Sequence, residues 1–306
     1  MSLFIEQTLN GVQLALLLFL VAAGLTLVFG IMDFMNLSHG SLFMMGAYFA
    51  ATFVTLTGSF VLGGLIAIVC TTLLGFVIEA VWLRPLFGRG HLDQVLGTFG
   101  LVLFFNDFVR LVWGPGGRTV GLPQMLQGHV YFGPNFSYPV YRLVLIAVGL
   151  LVAAGLFLLV QRTKTGMIIR AAASDREMAG AIGADINRVS AMVFGLGAAL
   201  AGLAGLFAAP ILTVQIGMGD NILILALVII VIGGLGSVRG AFLAALIVGL
   251  IDALGRAYMP NLLRLILSPV AASTAAGALS SVAIYILLAV ILLVKPQGLF
   301  PARGAR

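Results

Sequence analysis

The chain has few side chains that could perform nucleophilic, acid–base or metal chemistry. His39, His91 and His129 lie far apart in different segments, so no metal cluster is expected. No Ser/His/Asp or Cys/His set is visible either. The only lysines, Lys164 and Lys295, do not follow a glycine, which excludes a phosphate-binding P-loop. The residues therefore predict a protein that is not an enzyme and binds no cofactor; energy for any work must come from a partner or a gradient.

Acids within apolar sequence are the remaining candidates, because an ionisable group at mid-bilayer costs about 2.5–3.5 kcal/mol and is seldom there without a function. The five acids are Asp33, Glu79, Asp107, Asp220 and Asp252. Three have an arginine about one turn away, which predicts structural ion pairs: Glu79 with Arg84, Asp107 with Arg110, and Asp252 with Arg256. Asp33 and Asp220 have no such neighbour. No proton-relay chain follows from this pattern.

The composition indicates a membrane protein, because charged residues are few and hydrophobic residues are many. Of 306 residues, 61% are hydrophobic and 8% are charged, against about 25% charged in a soluble domain. The mean hydropathy is +1.19. So little charge cannot solvate a soluble globule, and so much apolar sequence excludes disorder. We expect an all-α polytopic membrane protein, in which the net charge of +6 reflects cytoplasmic loops rather than nucleic-acid binding.

Breaks between charge-free runs predict about eight to ten transmembrane helices in a single domain over residues 1–306. The run 34–78 is long enough for two helices, divided at Thr57-Gly58-Ser59, the second continuing to about Leu83. Segment 257–276 is mixed. The other predicted spans are 7–32, 94–112, 143–161, 189–209, 221–238, 240–255 and 277–294.

Two connecting segments set the expected orientation. Residues 162–188 carry five basic side chains, which by the positive-inside rule places them in the cytoplasm, together with the C-terminal tail. Residues 113–141 contain four prolines and many glycines, and are predicted to form an external loop. The side of the N-terminus stays open, since nine spans place it outside and eight or ten place it inside.

Residues 165–183 favour one short helix by composition, with Gly166 before it and Gly183 ending it. Arg170, Ser174 and Glu177 would share one face. An exposed helix between two spans suits the docking of a soluble partner. It equally suits a solvated helix on the lipid headgroups, and the pattern alone does not choose between them.

Four segments in order resemble one family. They are Asn36-Leu37-Ser38-His39-Gly40, the stretch Thr165–Gly183, Gly233-Gly234-Leu235-Gly236-Ser237 with Gly240-Ala241, and Lys295-Pro296-Gln297-Gly298-Leu299-Phe300. Together they cover nearly the whole chain and resemble the permease subunits of branched-chain amino-acid ABC importers, specifically the shorter of the two permease types.

The resemblance implies a permease bundle in a bacterial inner membrane, with 162–188 as a cytoplasmic coupling loop. It implies a second permease subunit (homologous or identical), two ATPase subunits that bind the ATP, a periplasmic substrate-binding protein, and contact with membrane lipid. Docking of the ATPase is expected on Thr165, Gly166, Arg170, Asp175, Glu177 and Gly183. Close relatives carry urea or short amides, so the substrate is not fixed by this chain.

Two other functions compete with this interpretation. An ion- or proton-coupled secondary carrier would need its own coupling residues near the membrane midplane, and a passive channel would need no coupling. Neighbouring genes for an ATPase and a periplasmic binding protein would separate the three.

The residues Asn36, His39 and Gly40 are expected near the translocation path, because non-helical backbone at membrane depth must line protein or a cavity. Gly40 would let the backbone turn before a helix that begins at about Ser41. His39 has a structural alternative, as a hydrogen-bonded or interfacial histidine. Gly233, Gly234 and Gly236 are expected to permit a helix break or a close crossing.

Overall fold

The computed structural model describes residues 2–133 and 136–300, and this part of the chain is almost entirely helical. It contains eleven α-helices and one antiparallel pair of short strands. The helices are α1 (Ser2–Met32), α2 (His39–Thr57), α3 (Phe60–Ile78), α4 (His91–Trp113), α5 (Val140–Arg162), α6 (Lys164–Ser174), α7 (Arg176–Ala181), α8 (Ile186–Ala208), α9 (Met218–Gly233), α10 (Val238–Leu263) and α11 (Pro269–Val294). The strands are β1 (His129–Gly133) and β2 (Phe136–Pro139).

Eight helices within the described residues are long and apolar enough to cross a membrane: α1, α2, α3 with its continuation to Leu86, α4, α5, α8, α10 and α11. Helix α9 is also apolar but has only 16 residues, which extend about 24 Å and fall short of a hydrocarbon core of about 30 Å. The predicted all-α membrane fold is confirmed.

Several boundaries differ from the sequence prediction. The seventh apolar segment is Met218–Gly233 rather than 221–238. The mixed segment 257–276 divides between α10, which continues to Leu263, and α11, which begins at Pro269. A proline suits the first helical position, where its missing N–H has no intrahelical partner. The turn between α2 and α3 falls where it was predicted, at Gly58 with a φ of 64°.

Helix α1 forms the centre of the bundle, since most of it is buried and it packs against α10, α8, α5 and α9. Glycines let the backbones approach: a β-carbon at Gly24 would lie 2.9 Å from the carbonyl oxygen of Gly197 on α8. One at Gly11 would lie 3.1 Å from the carbonyl oxygen of Gly249 on α10. Such contacts replace the hydrophobic driving force that is missing between helices in lipid. Helices α5 and α11 are mostly exposed and lie at the periphery.

Contacts at the two ends of α1 define which loops share a side. Near its N-terminus, Asn10 accepts hydrogen bonds from the hydroxyl of Tyr138 at 3.0 Å and from the guanidinium of Arg142. Burial raises the pKa of the Tyr138 phenol, which keeps it a protonated donor. Near the C-terminal end, Ile31 lines a cavity with Arg170 of α6. The N-terminus therefore shares a side with the segment between α4 and α5, and α6 lies on the opposite side.

The three predicted ion pairs form. They are Glu79–Arg84, Asp107–Arg110 and Asp252–Arg256, at 2.9, 3.4 and 2.9 Å. The Glu79 side chain is only 1% exposed, so Arg84 offsets a charge that would otherwise be costly to bury. Asp220 occupies the first turn of α9, where the helix dipole favours an acid. Asp33 is exposed at the end of α1. Ion pairs and the helix dipole thus account for the other four acids.

Candidate functional site

The chain breaks between α1 and α2 within the helical bundle. Helix α1 ends at Met32, and Asp33 follows with a φ of 48°, in the left-handed region that aspartate tolerates better than most residues. Residues 33–38 are non-helical, and α2 begins at His39. The prediction that Gly40 provides the turn is wrong: Gly40 is already helical, and Asp33 takes the left-handed conformation.

This break returns the chain deep into the bundle. A β-carbon at Gly24 would lie 3.0 Å from Cε1 of His39. Because Gly24 is about two turns, or ~12 Å, from the end of α1, α2 starts well inside the bundle rather than at its end. Its far end points to the side of the α4–α5 segment, where the indole of Trp113 donates to Thr52 Oγ1 at 2.8 Å.

A second break, at residues 209–217, separates α8 from α9. It contains Pro210 near its start and ends at Gly217, which has a φ of 77°. Helix α9 then runs in the direction opposite to α2. Its C-terminal end lies near the end of α1, because a β-carbon at Gly30 would lie 3.2 Å from Cα of Gly236, just beyond α9.

The first turns of α2 and α9 meet at two glycines. A β-carbon at Gly40 would lie 2.5 Å from the carbonyl oxygen of Gly219, and one at Gly219 would collide with the carbonyl of Gly40. Both positions therefore require glycine. We call this contact, with the two breaks that lead into it, the central junction. Two helix N-termini with their positive dipole ends converge here, as in transporters whose discontinuous helices form a midplane site.

Polar groups of the first break are enclosed by protein. Asn36, Ser38 and His39 are at most 1% exposed. Asn36 Oδ1 accepts from the backbone N–H of Ser38 at 3.0 Å and from its hydroxyl at 2.6 Å, which fixes a local turn. Within the described residues, Asn36 Nδ2 and both ring nitrogens of His39 have no hydrogen-bond partner. Buried groups left without partners are uncommon and call for an explanation.

The second candidate region is the connection between α5 and α8. One continuous helix was predicted, but the structure contains two, α6 and α7, separated at Asp175. The Asp175 side chain accepts from the Met178 N–H at 2.9 Å and caps α7. Because the helix is interrupted, Arg170, Ser174 and Glu177 do not share one continuous face as predicted. Gly183, with a φ of 97°, follows the end of α7.

Helix α6 folds back tightly on the end of α5. Thr165 and Gly166 belong to its first turn, so Gly166 does not precede the helix as predicted. A β-carbon at Gly166 would collide with the carbonyls of Leu159 and Val160. The guanidinium of Arg170 donates to the Val160 carbonyl, one of the orphan acceptors that end α5. Arg170 is therefore directed at α5.

Helix α7 and the residues at its two ends carry an exposed surface of this connection. Asp175 and Glu177 are exposed, as are two large apolar side chains, Met178 at 60% and Ile182 at 74%. Exposed apolar groups beside charges, outside the membrane-spanning helices, are typical of an interaction surface. We call these four residues the α7 surface.

The glycines at the end of α9 permit both a helix break and a close helix crossing. Gly234 and Gly236 have φ values of 103° and 78°, while a β-carbon at Gly233 would collide with the backbone of Gly240 on α10. The segment after α11, called the tail, supplies hydrogen-bond donors to the last carbonyls of α9. The N–H groups of Leu299 and Phe300 donate to the carbonyls of Ile232 and Gly233 at 2.9 and 3.0 Å.

Sequence reasoning did not identify Gly219 or this contact of the tail. The Gly217-Met218-Gly219 spacing after Pro210 was an available signal for the first. The segment Lys295–Phe300 carried part of the family resemblance, but its contact with the end of α9, which follows the left-handed Gly298, was not predicted.

Fold and junction together define a multi-pass membrane transport protein built around two discontinuous helices. The family model described as the branched-chain amino acid transport system permease component matches residues 7–294, and the chain belongs to that family.

Curated relatives agree over most of the chain. It is 30% identical over 266 positions to the high-affinity branched-chain amino acid transport system permease protein BraD of Pseudomonas aeruginosa, covering 82% of this chain and 86% of the relative. It is 30% identical over 314 positions to the corresponding protein LivH of Escherichia coli, covering 97% and 95%. A probable branched-chain amino acid transport permease protein LivH of Methanocaldococcus jannaschii is 27% identical, covering 80% and 79%. No solved structure matches.

Proposed function

We propose that this chain is the transmembrane permease subunit of an ATP-driven importer of branched-chain amino acids. It would pair with a second permease subunit, identical or homologous, and receive substrate from a periplasmic binding protein. Two ATPase subunits would bind and hydrolyse the ATP, so that no cofactor belongs to this chain. The family match over residues 7–294 carries the proposal. The relatives whose names specify branched-chain amino acids favour that substrate over urea or short amides.

The α7 surface supports docking of an ATPase subunit. It is exposed, it combines two carboxylates with two large apolar side chains, and Gly166 and Arg170 hold the neighbouring helix α6 firmly against α5. A rigid support lets movement of a docked subunit reach the bundle. Of the predicted docking residues, Asp175 and Glu177 fit direct contact. The other predicted residues suit a structural role in the connection between α5 and α8; they are Thr165, Gly166, Arg170 and Gly183.

The central junction supports a role in the translocation path. Asn36, His39 and Gly40 lie where α2 and α9 begin inside the bundle, and the unpartnered nitrogens of His39 suit a state in which water or substrate reaches them. In the described conformation they are enclosed, which corresponds to a closed path. Movement of α2 relative to α9 would open it.

The proposal is tested by uptake in proteoliposomes. The chain is reconstituted with its partner permease and ATPase subunits, and radiolabelled leucine is presented with the binding protein. ATP-dependent uptake that unlabelled isoleucine and valine inhibit is expected, and the chain alone should hydrolyse no ATP. Inhibition by urea or acetamide instead would reassign the substrate. Uptake driven by an ion gradient without ATP would contradict the ABC assignment.

Docking has its own test in a double charge reversal, Asp175→Lys with Glu177→Lys. We expect at least about a tenfold loss of uptake, since replacing attraction by like-charge contact costs several kcal/mol at an interface. Binding-protein affinity for leucine should not change. Asp107→Lys, which reverses an exposed acid of the bundle, is the control for charge. Asp175→Asn with Glu177→Lys, which keeps a capping side chain at residue 175, is the control for the cap of α7 and should also lose uptake. Full transport by the double variant would exclude docking on the α7 surface.

We infer a bacterial inner-membrane location, with α6, α7 and the C-terminus in the cytoplasm and the N-terminus outside. The basic residues of 162–188 support this orientation, and the contacts of Asn10 with Tyr138 and Arg142 support an N-terminus on the side opposite α6. Counted with the eight long helices of the described residues, the shorter helix α9 is a ninth crossing, and nine crossings agree with an N-terminus outside. Single cysteines at Gly128 and Ser174 in a Cys70→Ala background test it in spheroplasts. An impermeant thiol reagent should label only the cysteine at 128, and strong labelling at 174 would reverse the topology.

A further inference from the structure

A cavity of about 820 Å³ opens at the membrane edge on the α6 side of the bundle. It lies between the ends of α1 and α5, helix α6, the α9–α10 turn and the tail. Two arginines from separate elements line it, Arg170 of α6 and Arg239 of α10, and no acid is among the described residues of its lining. The cavity is therefore positively charged.

Both arginines keep unused donors. Arg170 donates to the Val160 carbonyl, but neither arginine has a carboxylate partner within residues 2–133 and 136–300. Arg239 lies in the first turn of α10, where the helix dipole disfavours a cation and favours an anion. Its guanidinium carbon lies 4.9 Å from the ring centre of Phe157, which holds the side chain over the cavity wall.

The rest of the lining combines apolar residues with four polar ones, and two of its aromatic side chains are partly exposed at the edge of the bundle; the polar residues are Thr26, Gln161, Ser174 and Ser237. Phe157 is 40% exposed on the peripheral helix α5, and Phe300 lines the tail side with 46% exposed. A ligand that fits must combine a phosphate-like anion with a hydrocarbon part that leaves sideways into the bilayer. Basic pockets between transmembrane helices on the cytoplasmic side match acidic phospholipids in this way.

We propose that this cavity binds the headgroup of an acidic phospholipid, such as phosphatidylglycerol, with Arg239 and Arg170 on its phosphate. Arginine suits this task because its planar donors bind phosphate oxygens in pairs. The lipid would lie between α5 and α6 and hold the base of the α6–α7 connection against the membrane. The binding site goes beyond the proposed transport function and does not depend on it.

Native mass spectrometry of the full chain, released from bilayers of phosphatidylcholine with added phosphatidylglycerol, tests the proposal. We expect one retained phosphatidylglycerol that phosphatidylcholine does not replace. Arg239→Gln should weaken its retention about tenfold, as loss of a charged hydrogen bond predicts, and Arg239→Lys should recover part of it. Arg89→Gln is the control. Arg89 lies two residues after Phe87, whose ring contacts the guanidinium of Arg176 on α7. Arg89 is therefore on the same side of the bundle as the cavity, but it does not line the cavity.

Three results would overturn the proposal. Equal retention by Arg239→Gln and Arg89→Gln, with unchanged melting temperatures, would exclude the cavity as the lipid site. Displacement of the lipid by millimolar inorganic phosphate would make free phosphate the ligand. Weaker binding of the ATPase subunit by Arg239→Gln, without a change in lipid retention, would assign the arginines to the protein partner.

Discussion

The two breaks that meet at the central junction are built in different ways. The first, residues 33–38, is short, and the side chain of Asn36 shapes it from within the bundle. The second, residues 209–217, is longer and is fixed by backbone, since Val214 exchanges two backbone hydrogen bonds of 2.8 Å with Arg118 of the α4–α5 segment. The second break is thus attached to a surface loop, whereas the buried side chain of Asn36 helps to shape the first.

This difference assigns separate tasks to α2 and α9. Helix α9 is anchored at both ends, by the Arg118–Val214 pair before it and by the tail after it. Helix α2 begins among polar groups that lack partners in this conformation. A conformational change that exposes the junction to water would give hydrogen-bond partners to the unpaired polar groups of the first break. The same movement of the second break would disrupt its backbone hydrogen bonds with Arg118. We therefore expect α2 to move and α9 to serve as the fixed wall.

The largest effect is expected where the breaks touch. Gly40→Leu and Gly219→Leu would each force a side chain into a backbone contact, and overpacking costs about 1–3 kcal/mol or more when backbone must shift. Uptake should be lost and the melting temperature of the purified complex lowered. Gly100→Leu is the matched control, because a β-carbon at that helical glycine meets nothing within 4 Å.

Gly75 lies within the regular helix α3, but it is not a neutral position either. A β-carbon there would collide with that of Ala198, so Gly75→Leu should also destabilise the bundle. Normal uptake by Gly40→Leu would show that α2 and α9 do not need their close contact.

An intermediate effect is expected from the turn of the first break. Asn36→Ala removes the acceptor of two buried hydrogen bonds and leaves the Ser38 N–H unsatisfied, which costs about 1–3 kcal/mol. Gln215→Ala in the second break removes an exposed side chain and should change stability by less than about 0.5 kcal/mol. Melting of the purified complex measures both. Equal losses would remove the distinction between a break shaped by side chains and one shaped by backbone.

The transmembrane spans could be predicted from the sequence, whereas the start of α2 and the division between α6 and α7 could not. Charge-free runs located the spans because lipid excludes charge over a whole helix. The depth at which α2 begins was not predictable, since Asp33–Ser38 is a short interruption whose position depends on contacts with Gly24 and Gly219, far away in sequence. The division at Asp175 was missed because helix propensity was summed over the segment, while a single capping aspartate determined the outcome.

The smallest effect on stability, and the sharpest test of the comparison, is expected from His39→Leu. Neither nitrogen of His39 has a hydrogen bond of good geometry within the described residues, although the ring lies close to the backbone of Val21. An apolar side chain of similar size therefore removes a desolvation cost and loses at most that one weak contact. The melting temperature should stay the same or rise. Met218→Leu, at the matching position before Gly219, should leave stability and uptake unchanged, because both side chains are apolar and alike in volume.

Transport separates the two explanations of His39. If the junction opens, water or substrate meets residue 39 in that state, and leucine there disfavours the open form, so uptake by His39→Leu should fall while stability does not. If the histidine has only a structural role, uptake and melting temperature should change together. A variant with normal uptake and normal stability would place the path elsewhere, and Asn36 and Gly40 would then be needed only to pack α2 against α9.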